Sequence, residues 1–303
     1  MLAVYAESIS REDPLSGLVV GERPEPEAPA GWSTVTVKAA SLNHHDLWSL
    51  MGVGLPAERL PMTLGCDAAG LDEDGNPVIV HAVISDPEWK GDETFDPRRS
   101  LLSERHQGSL AERVIVPTRN LLPKPPELSF EEACCLPTAW LTAYRMLFTR
   151  GAVVPGQTVL VQGASGGVAT ALIVLASRSG ARVWVTSRSE AGRALALELG
   201  ADAAFDSGAR LPERVDLVME TIGQATWGHS IRALKPGGTL VISGATTGDA
   251  TMGTREELER LTRFCVERDI RPVIDRVLPA TEARDGIAAI QSGGVNGKIV
   301  LTF

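Results

Sequence analysis

The run Val159-Leu160-Val161-Gln162-Gly163-Ala164-Ser165-Gly166-Gly167-Val168-Ala169 joins an apolar segment to a helix-forming one through glycines. Gly163 allows a tight turn out of a strand, and Gly166 lets the backbone approach a pyrophosphate closely. Ala169 is small enough for helix–strand packing, and the N–H groups that open the helix face the phosphate charge. Glycine spacing alone is a weak signal, but strand, turn and helix inside a βαβ unit give it the context of a dinucleotide site. The next strand ends in Thr186-Ser187-Arg188-Ser189. An NAD site places a carboxylate there for the ribose 2′-hydroxyl. Ser187 and Arg188 suit a 2′-phosphate instead, so the expected cofactor is NADPH.

A second constellation lies upstream: Asn43, His44, His45, Asp46 and Trp48, followed by Cys66 and Asp67. As a metal site it is poor, because neighbouring histidines on an extended segment point opposite ways. The expected metal set is none. Cys66 reads as a small buried residue without an evident activating base. His44 and His45 are candidate proton sources near neutral pH, although a lone histidine more often packs or faces solvent. Asp46 is expected to support its loop or, less simply, to relay a proton.

Elements must place these residues. WSTVTVKAAS (32–41) alternates as a strand does, and NPVIVHAVI (76–84) and AERVIVP (111–117) are β-branched runs between breakers. Residues 85–109 are polar and aperiodic, as a surface loop is. Ser129 with Glu132 forms a capping box, and Pro137 should break the helix it starts. From 158 strands and helices alternate: strands at 158–163, 182–187, 203–205, 215–220 and 239–244, the last after a KPGG turn. That alternation predicts a parallel sheet with right-handed crossovers. Thr221 and the run Gly244-Ala245-Thr246 follow strand ends on the edge where ligands bind in open α/β sheets. Thr254 with Glu257 caps another helix, and a helix at 281–291 and a strand GKIVLTF close the chain.

The order of β-rich segment, glycine-rich sheet and β-rich tail resembles the medium-chain dehydrogenase/reductase superfamily. Ser41-Leu42-Asn43-His44-His45-Asp46-Leu47-Trp48, Gly65-Cys66-Asp67-Ala68-Ala69-Gly70 and Thr138-Ala139-Trp140-Leu141-Thr142-Ala143-Tyr144 are similar to its zinc-free quinone oxidoreductase branch. The resemblance covers nearly the whole chain. It implies an α/β protein: a discontinuous, mainly-β GroES-like catalytic domain (1–122 and 269–303) around a doubly wound Rossmann domain (123–268). It places Asn43 beside the nicotinamide and acceptor and Thr138 near the carboxamide. Trp48 stands where relatives often carry tyrosine. Zinc dehydrogenases of this superfamily use three ligand positions that here hold Asn43, Cys66 and Thr138, a set unsuited to Zn²⁺. Nor does 85–112 contain a cysteine for a structural zinc lobe.

The implied activity is hydride transfer from NADPH to a quinone or α,β-unsaturated carbonyl without zinc. Two other readings stay open: a zinc-type alcohol dehydrogenase, and a catalytically idle NADPH-binding sensor or structural protein. Relatives carry a further helix and strand where Asp249, Ala250 and Thr251 stand. That piece is roughly 20 residues, the size of a crossover helix and strand. An unpaired fifth strand would be an aggregation liability, so a longer natural chain is expected rather than a deletion. A homodimer is expected if that edge segment is present.

Composition narrows the partners. A net charge of −9 and a pI near 5.2 argue against general affinity for nucleic acid or anionic membrane. No run of 18 apolar residues occurs, and the opening MLAVYAESISRED has no basic leader. Four cysteines without framework spacing suit a reducing cytoplasm.

Overall fold

A computed structural model of the chain describes residues 1–243 and 252–303. Gly244, Ala245 and Thr246, and the question of a lost strand after them, lie outside the described residues. The chain divides into two compact units, Met1–Thr138 with Thr254–Phe303, and Ala139–Gly253.

The first unit begins with β1 (Leu2–Ala6), β2 (Leu18–Glu22), β3 (Trp32–Ser41), α1 (His44–Leu50) and β4 (Met62–Thr63). It continues through β5 (Ala68–Leu71), β6 (Pro77–Val80), β7 (Val83–Ile84), β8 (Ser100–Leu101), β9 (Arg113–Pro117), β10 (Leu121–Pro123) and the short α2 (Phe130–Ala133). The ten-residue β3 organises it. Its first half pairs with β9 and its middle with β5, both antiparallel. Val35 and Val37 are buried while Thr36 and Lys38 are exposed, the alternation of a sheet with one buried face. At Ala39–Ser41 the alternation stops and every residue is buried, just before the chain delivers Asn43.

The second unit holds α3 (Leu141–Tyr144), β11 (Thr158–Gln162), α4 (Gly167–Arg178), β12 (Arg182–Ser187) and α5 (Glu190–Glu198). β13 (Ala203–Asp206), β14 (Val215–Glu220), α6 (Gln224–Ala233) and β15 (Leu234–Ile242) complete it. Its sheet is parallel, in the order β13-β12-β11-β14-β15. Leu160, Trp184, Val215, Val218 and Ala233 form a core cluster on it. Pro137 lies in a π-helical turn, Leu136–Trp140, so the capped helix at Ser129 stops after one turn, as a missing donor requires. The KPGG segment is not a turn ahead of the last strand: β15 already starts at Leu234, and a register shift near Val215 absorbs the glycines.

The chain returns to the first unit as α7 (Arg255–Glu267), β16 (Ile274–Pro279), α8 (Ala283–Ser292) and β17 (Lys298–Thr302). α7 starts at the expected box, with Glu257 N donating to Thr254 Oγ1 and Thr254 N to Glu257 Oε2. β17 runs antiparallel to the end of β3, Val300 opposite Ser41. Both α2 and α7 thus group with the β-rich unit, whereas the sequence boundaries at 122 and 268 put them with the nucleotide sheet.

Candidate active site

In the first unit the site is built where β3 ends and β17 begins. Lys298 opens β17 with its side chain 3% exposed, and its ammonium donates to Leu42 O (2.7 Å), Asn43 Oδ1 (2.6 Å) and Asp67 Oδ2 (3.3 Å). A buried ammonium needs such partners, because stripping its water without replacing it costs several kcal/mol. Asp67 Oδ2 also accepts from Ser41 Oγ (2.6 Å) and Asn43 Nδ2 (2.8 Å), while its Oδ1 is buried with no partner among the described residues. Asn43 Nδ2 reaches Ser41 O as well, at 3.3 Å. Its amide is bonded at both ends within the chain.

Asn43 caps α1, and its N–H donates to Asp46 Oδ2 at 2.8 Å. Asp46 is fully buried, and burial pushes its carboxyl above the ordinary value of 3.8 despite the pull of His45, Asn43 N–H and Lys298. His44 and His45 do not lie on extended chain, as the sequence suggested; they open α1, so their side chains diverge by helical rotation. His44 lies 6.3 Å, ring to ring, from Trp48, and burial together with Lys298 lowers its pKa from 6.5.

His45 turns inward. Its Nδ1 lies 3.5 Å from Cys66 Sγ and its Nε2 is 3.0 Å from Glu104 Oε1. Cys66 thus has a base beside it, contrary to the sequence reading. Its thiol is nonetheless pushed above 9.0 by burial, with His45 opposing, and Sγ also donates to Leu102 O at 3.3 Å. Burial pulls His45 down, but Cys66, Glu104 and Asp46 outweigh it and hold the imidazole well above 6.5. Glu104 comes from the segment expected to be a surface loop. That segment instead pairs β8 with β7 and buries Leu102, Ser103 and Ser109. Gly54, at φ +77°, lets Glu104 in: a Cβ there would sit 3.0 Å from its Oε1.

Asn43 Oδ1 is bonded to an ammonium, Cys66 Sγ is engaged with Leu102 O and His45, and Thr138 offers a hydroxyl. No group of three or more His, Cys, Asp or Glu side chains among the described residues can hold a metal. Thr138 Oγ1 is buried and has no partner among the described residues.

The second unit carries the glycine turn. Gly163 has φ +94°, a conformation that costs a side chain about 1–2 kcal/mol, and a Cβ there would meet Thr221 Oγ1 at 3.2 Å. Thr221 Oγ1 donates to Gln162 O at 2.6 Å, tying the loop after β14 onto the turn. Ala164 is buried, Ser165, Gly167 and Val168 are half-buried and Gly166 is exposed with open space beside it. Gly166 caps α4 without a side-chain hydrogen bond, and the first turn carries no acid. The helix therefore presents bare N–H groups to an anion.

At the end of β12, Ser187 is half-buried and Arg188 exposed. Arg193, not anticipated from sequence, donates to Ser187 O (3.0 Å) and Asp206 Oδ1 (2.6 Å). Asp206 ends β13 opposite Ser187 and is paired with Arg193. Beneath the edge, Glu220 is fully buried. Its Oε1 accepts from Ile222 N (2.9 Å), Gly223 N (3.0 Å) and Thr226 Oγ1 (2.8 Å), and its Oε2 from Ser230 Oγ (2.6 Å). No helix among the described residues is long and apolar enough to cross a membrane.

Residues 29–126 match the family model of the alcohol dehydrogenase GroES-like domain, and 167–271 that of the zinc-binding dehydrogenases. The chain is 30% identical over 282 residues to 2-methylene-furan-3-one reductase of Solanum lycopersicum, covering 88% of this chain and 70% of that one. It is 28% identical to acryloyl-coenzyme A reductase of Metallosphaera sedula, over 94% and 96% of the two chains. A crystal structure of an NAD-dependent alcohol dehydrogenase superposes with a TM-score of 0.91 at 31% identity, over the whole of both chains.

Proposed function

The chain belongs to the medium-chain dehydrogenase/reductase superfamily, and from that membership we propose that it is an NADPH-dependent reductase of α,β-unsaturated carbonyls or quinones that works without zinc. The observation that carries this reading is the donor set at Asn43, Cys66 and Thr138. An amide bonded to the Lys298 ammonium, a thiol engaged with His45 and a lone hydroxyl do not make the three-ligand site that a catalytic zinc needs. Without a Lewis acid to polarise a simple carbonyl, an acceptor must already be electron-poor. The tomato relative, named as a reductase of such an enone, supports the same substrate class.

The dinucleotide supplies the hydride. The chain's part is to bind and orient. The α4 N-terminus and the Gly163–Val168 turn would take the pyrophosphate, and the buried, unpartnered Thr138 Oγ1 would meet the carboxamide. Ser187 and Arg188 would take a 2′-phosphate, because the strand end has no acid and Asp206 is neutralised by Arg193.

The test is NADPH oxidation with a panel of enones and quinones, run beside elemental analysis. Turnover with less than stoichiometric zinc is expected. One tightly held zinc per chain would favour the alcohol dehydrogenase reading, which the similarity to an NAD-dependent alcohol dehydrogenase also suggests. Tight NADPH binding with no turnover would favour an idle binding protein. Arg188→Ala should raise KM for NADPH by about 10-fold or more, the scale of one lost charge-assisted contact, and leave KM for NADH nearly unchanged. Equal effects on both would refute the 2′-phosphate assignment.

A further inference from the structure

Three neighbouring strands of the second unit end in one buried polar row. Gln162 of β11 pairs in register with Thr186 of β12 on one side and with Glu220 of β14 on the other, and all three are fully buried. α6 adds Ser230, also buried, and His229, half-buried. The row lies at the root of the glycine turn: Gly163 N donates to Thr186 O (3.0 Å) and Thr221 Oγ1 to Gln162 O (2.6 Å).

The partners dictate the role of each atom. A carboxylate only accepts, so the Ser230 hydroxyl gives its proton to Glu220 Oε2 at 2.6 Å. Ser230 Oγ must then accept, which turns the amide nitrogen of Gln162 toward it at 2.9 Å and the amide oxygen toward the Thr186 hydroxyl. The second N–H of that nitrogen meets His229 Nδ1 at 2.8 Å, so Nδ1 has to be bare. The ring proton is left on Nε2, which donates to Ala209 O at 2.8 Å.

We propose that Gln162 and His229 are positioning residues for the dinucleotide, and that a proton taken up at His229 weakens cofactor binding by loosening the glycine turn. The proposal rests on the dinucleotide assignment above. A proton on Nδ1 would set N–H against N–H, and Gln162 would have to turn its amide over. Its oxygen would then compete with Glu220 for the single Ser230 proton. Glu220 also holds the Ile222 and Gly223 N–H groups, and Thr221 between them bonds the carbonyl of Gln162 itself. A disturbance at one amide therefore reaches the turn through Gln162 and the adjoining loop through Glu220.

His229 is the member of this network that changes charge near neutral pH. Of the elements packed on α6, β14 brings Glu220 and Asp216, and β15 brings Lys235. Asp216 and Lys235 pair with each other at 2.7 Å, at the other end of β14 from Glu220. Arg210, next to Ala209, and Arg232, on α6 itself, are exposed. The charged group that the network links to His229 is thus Glu220, reached through Ser230 and Gln162.

Two measurements test this, neither of them turnover. In the ligand-free protein at about pH 8, ¹⁵N NMR should show the His229 proton on Nε2 and Nδ1 bare. Dinucleotide affinity, read by fluorescence, should fall about 10-fold between about pH 8 and about pH 5.5, the scale of one buried hydrogen bond lost. NADH is titrated beside NADPH because it lacks the 2′-phosphate, which takes up a proton of its own in the same range. His229→Asn offers Gln162 an amide oxygen that does not titrate. It should bind NADH as wild type does at the higher pH and lose most of the acid weakening, whereas His229→Leu should bind weakly at both. A proton on Nδ1, a flat wild-type profile for NADH, or an acid weakening of the same size in His229→Asn overturns the proposal. A wild type that binds neither dinucleotide at the higher pH overturns the dinucleotide assignment and the coupling with it, while the tautomer still reports on the Gln162–His229 pair.

Discussion

Each unit of this protein buries a carboxylate beneath its functional edge, and the two are answered in opposite ways. Asp67 meets an ammonium, an amide and a hydroxyl at one oxygen and nothing at the other. Glu220 meets four neutral donors spread over both oxygens, three of them supplied by residues 222–226 immediately after its strand. Asp67's environment is thus long-range and charged, and Glu220's is local and dipolar. A charge answered by a counter-charge depends on one distant residue, whereas a charge answered by backbone N–H groups is fixed as soon as the loop folds.

The difference has measurable consequences. Lys298→Met should destabilise the protein by about 3–5 kcal/mol, because it strands Asp67 in the interior without its cation. The midpoint of urea unfolding reads this, and adding Asp67→Asn to the variant should recover much of the loss. A single variant as stable as wild type would mean that the pair is not the keystone of the first unit. Glu220→Gln should cost about 1–3 kcal/mol, since an amide turns one acceptor into a donor facing other donors. It should also weaken NADPH binding, because Thr221-Ile222-Gly223 loses its anchor over Gly163. Unchanged dinucleotide affinity would show that the loop needs no such clamp. The smallest effect is on pH dependence. His45 is held above 6.5 in the fold, so above that pH the unfolded chain has released a proton that the folded chain keeps. The folded state then binds more protons, and stability falls as pH rises until His45 itself titrates. Asp46, raised above 3.8, acts with the same sign at lower pH. Denaturation across neutral to alkaline pH should show the decline, and His45→Gln should flatten it.

The nucleotide-binding half was legible because its information is local. Parallel strands buried on both faces read as continuous β-branched runs, and β11, β12 and β14 fall within a residue of their expected ends. The glycines and Thr221 needed no partner from elsewhere to be noticed. β15 was misplaced at its start because a KPGG turn signal was overridden by pairing of Leu234 with Val215. In the other half, Asn43, Asp46 and Cys66 were singled out but their partners were not. Glu104 sat in a stretch without periodicity, and Lys298 was taken as one more strand residue. Its burial had no sequence signal, for Arg182 heads the apolar run of β12 in the same way and is exposed. Once buried, an ammonium must have an acceptor. Which acceptor it finds is set by tertiary pairing of β17 with β3, and no spacing in the sequence encodes that.

Lys298 also imposes a timetable. Asp67 and Asn43 precede it by 231 and 255 residues. At ~5–20 residues per second of synthesis, the two must wait on the order of 10–50 s for their cation. In that interval the whole inserted nucleotide-binding unit emerges, with all five described strands of its sheet in hand. β17, the last of the described strands in chain order, therefore closes the first unit only after the whole second unit has been synthesised.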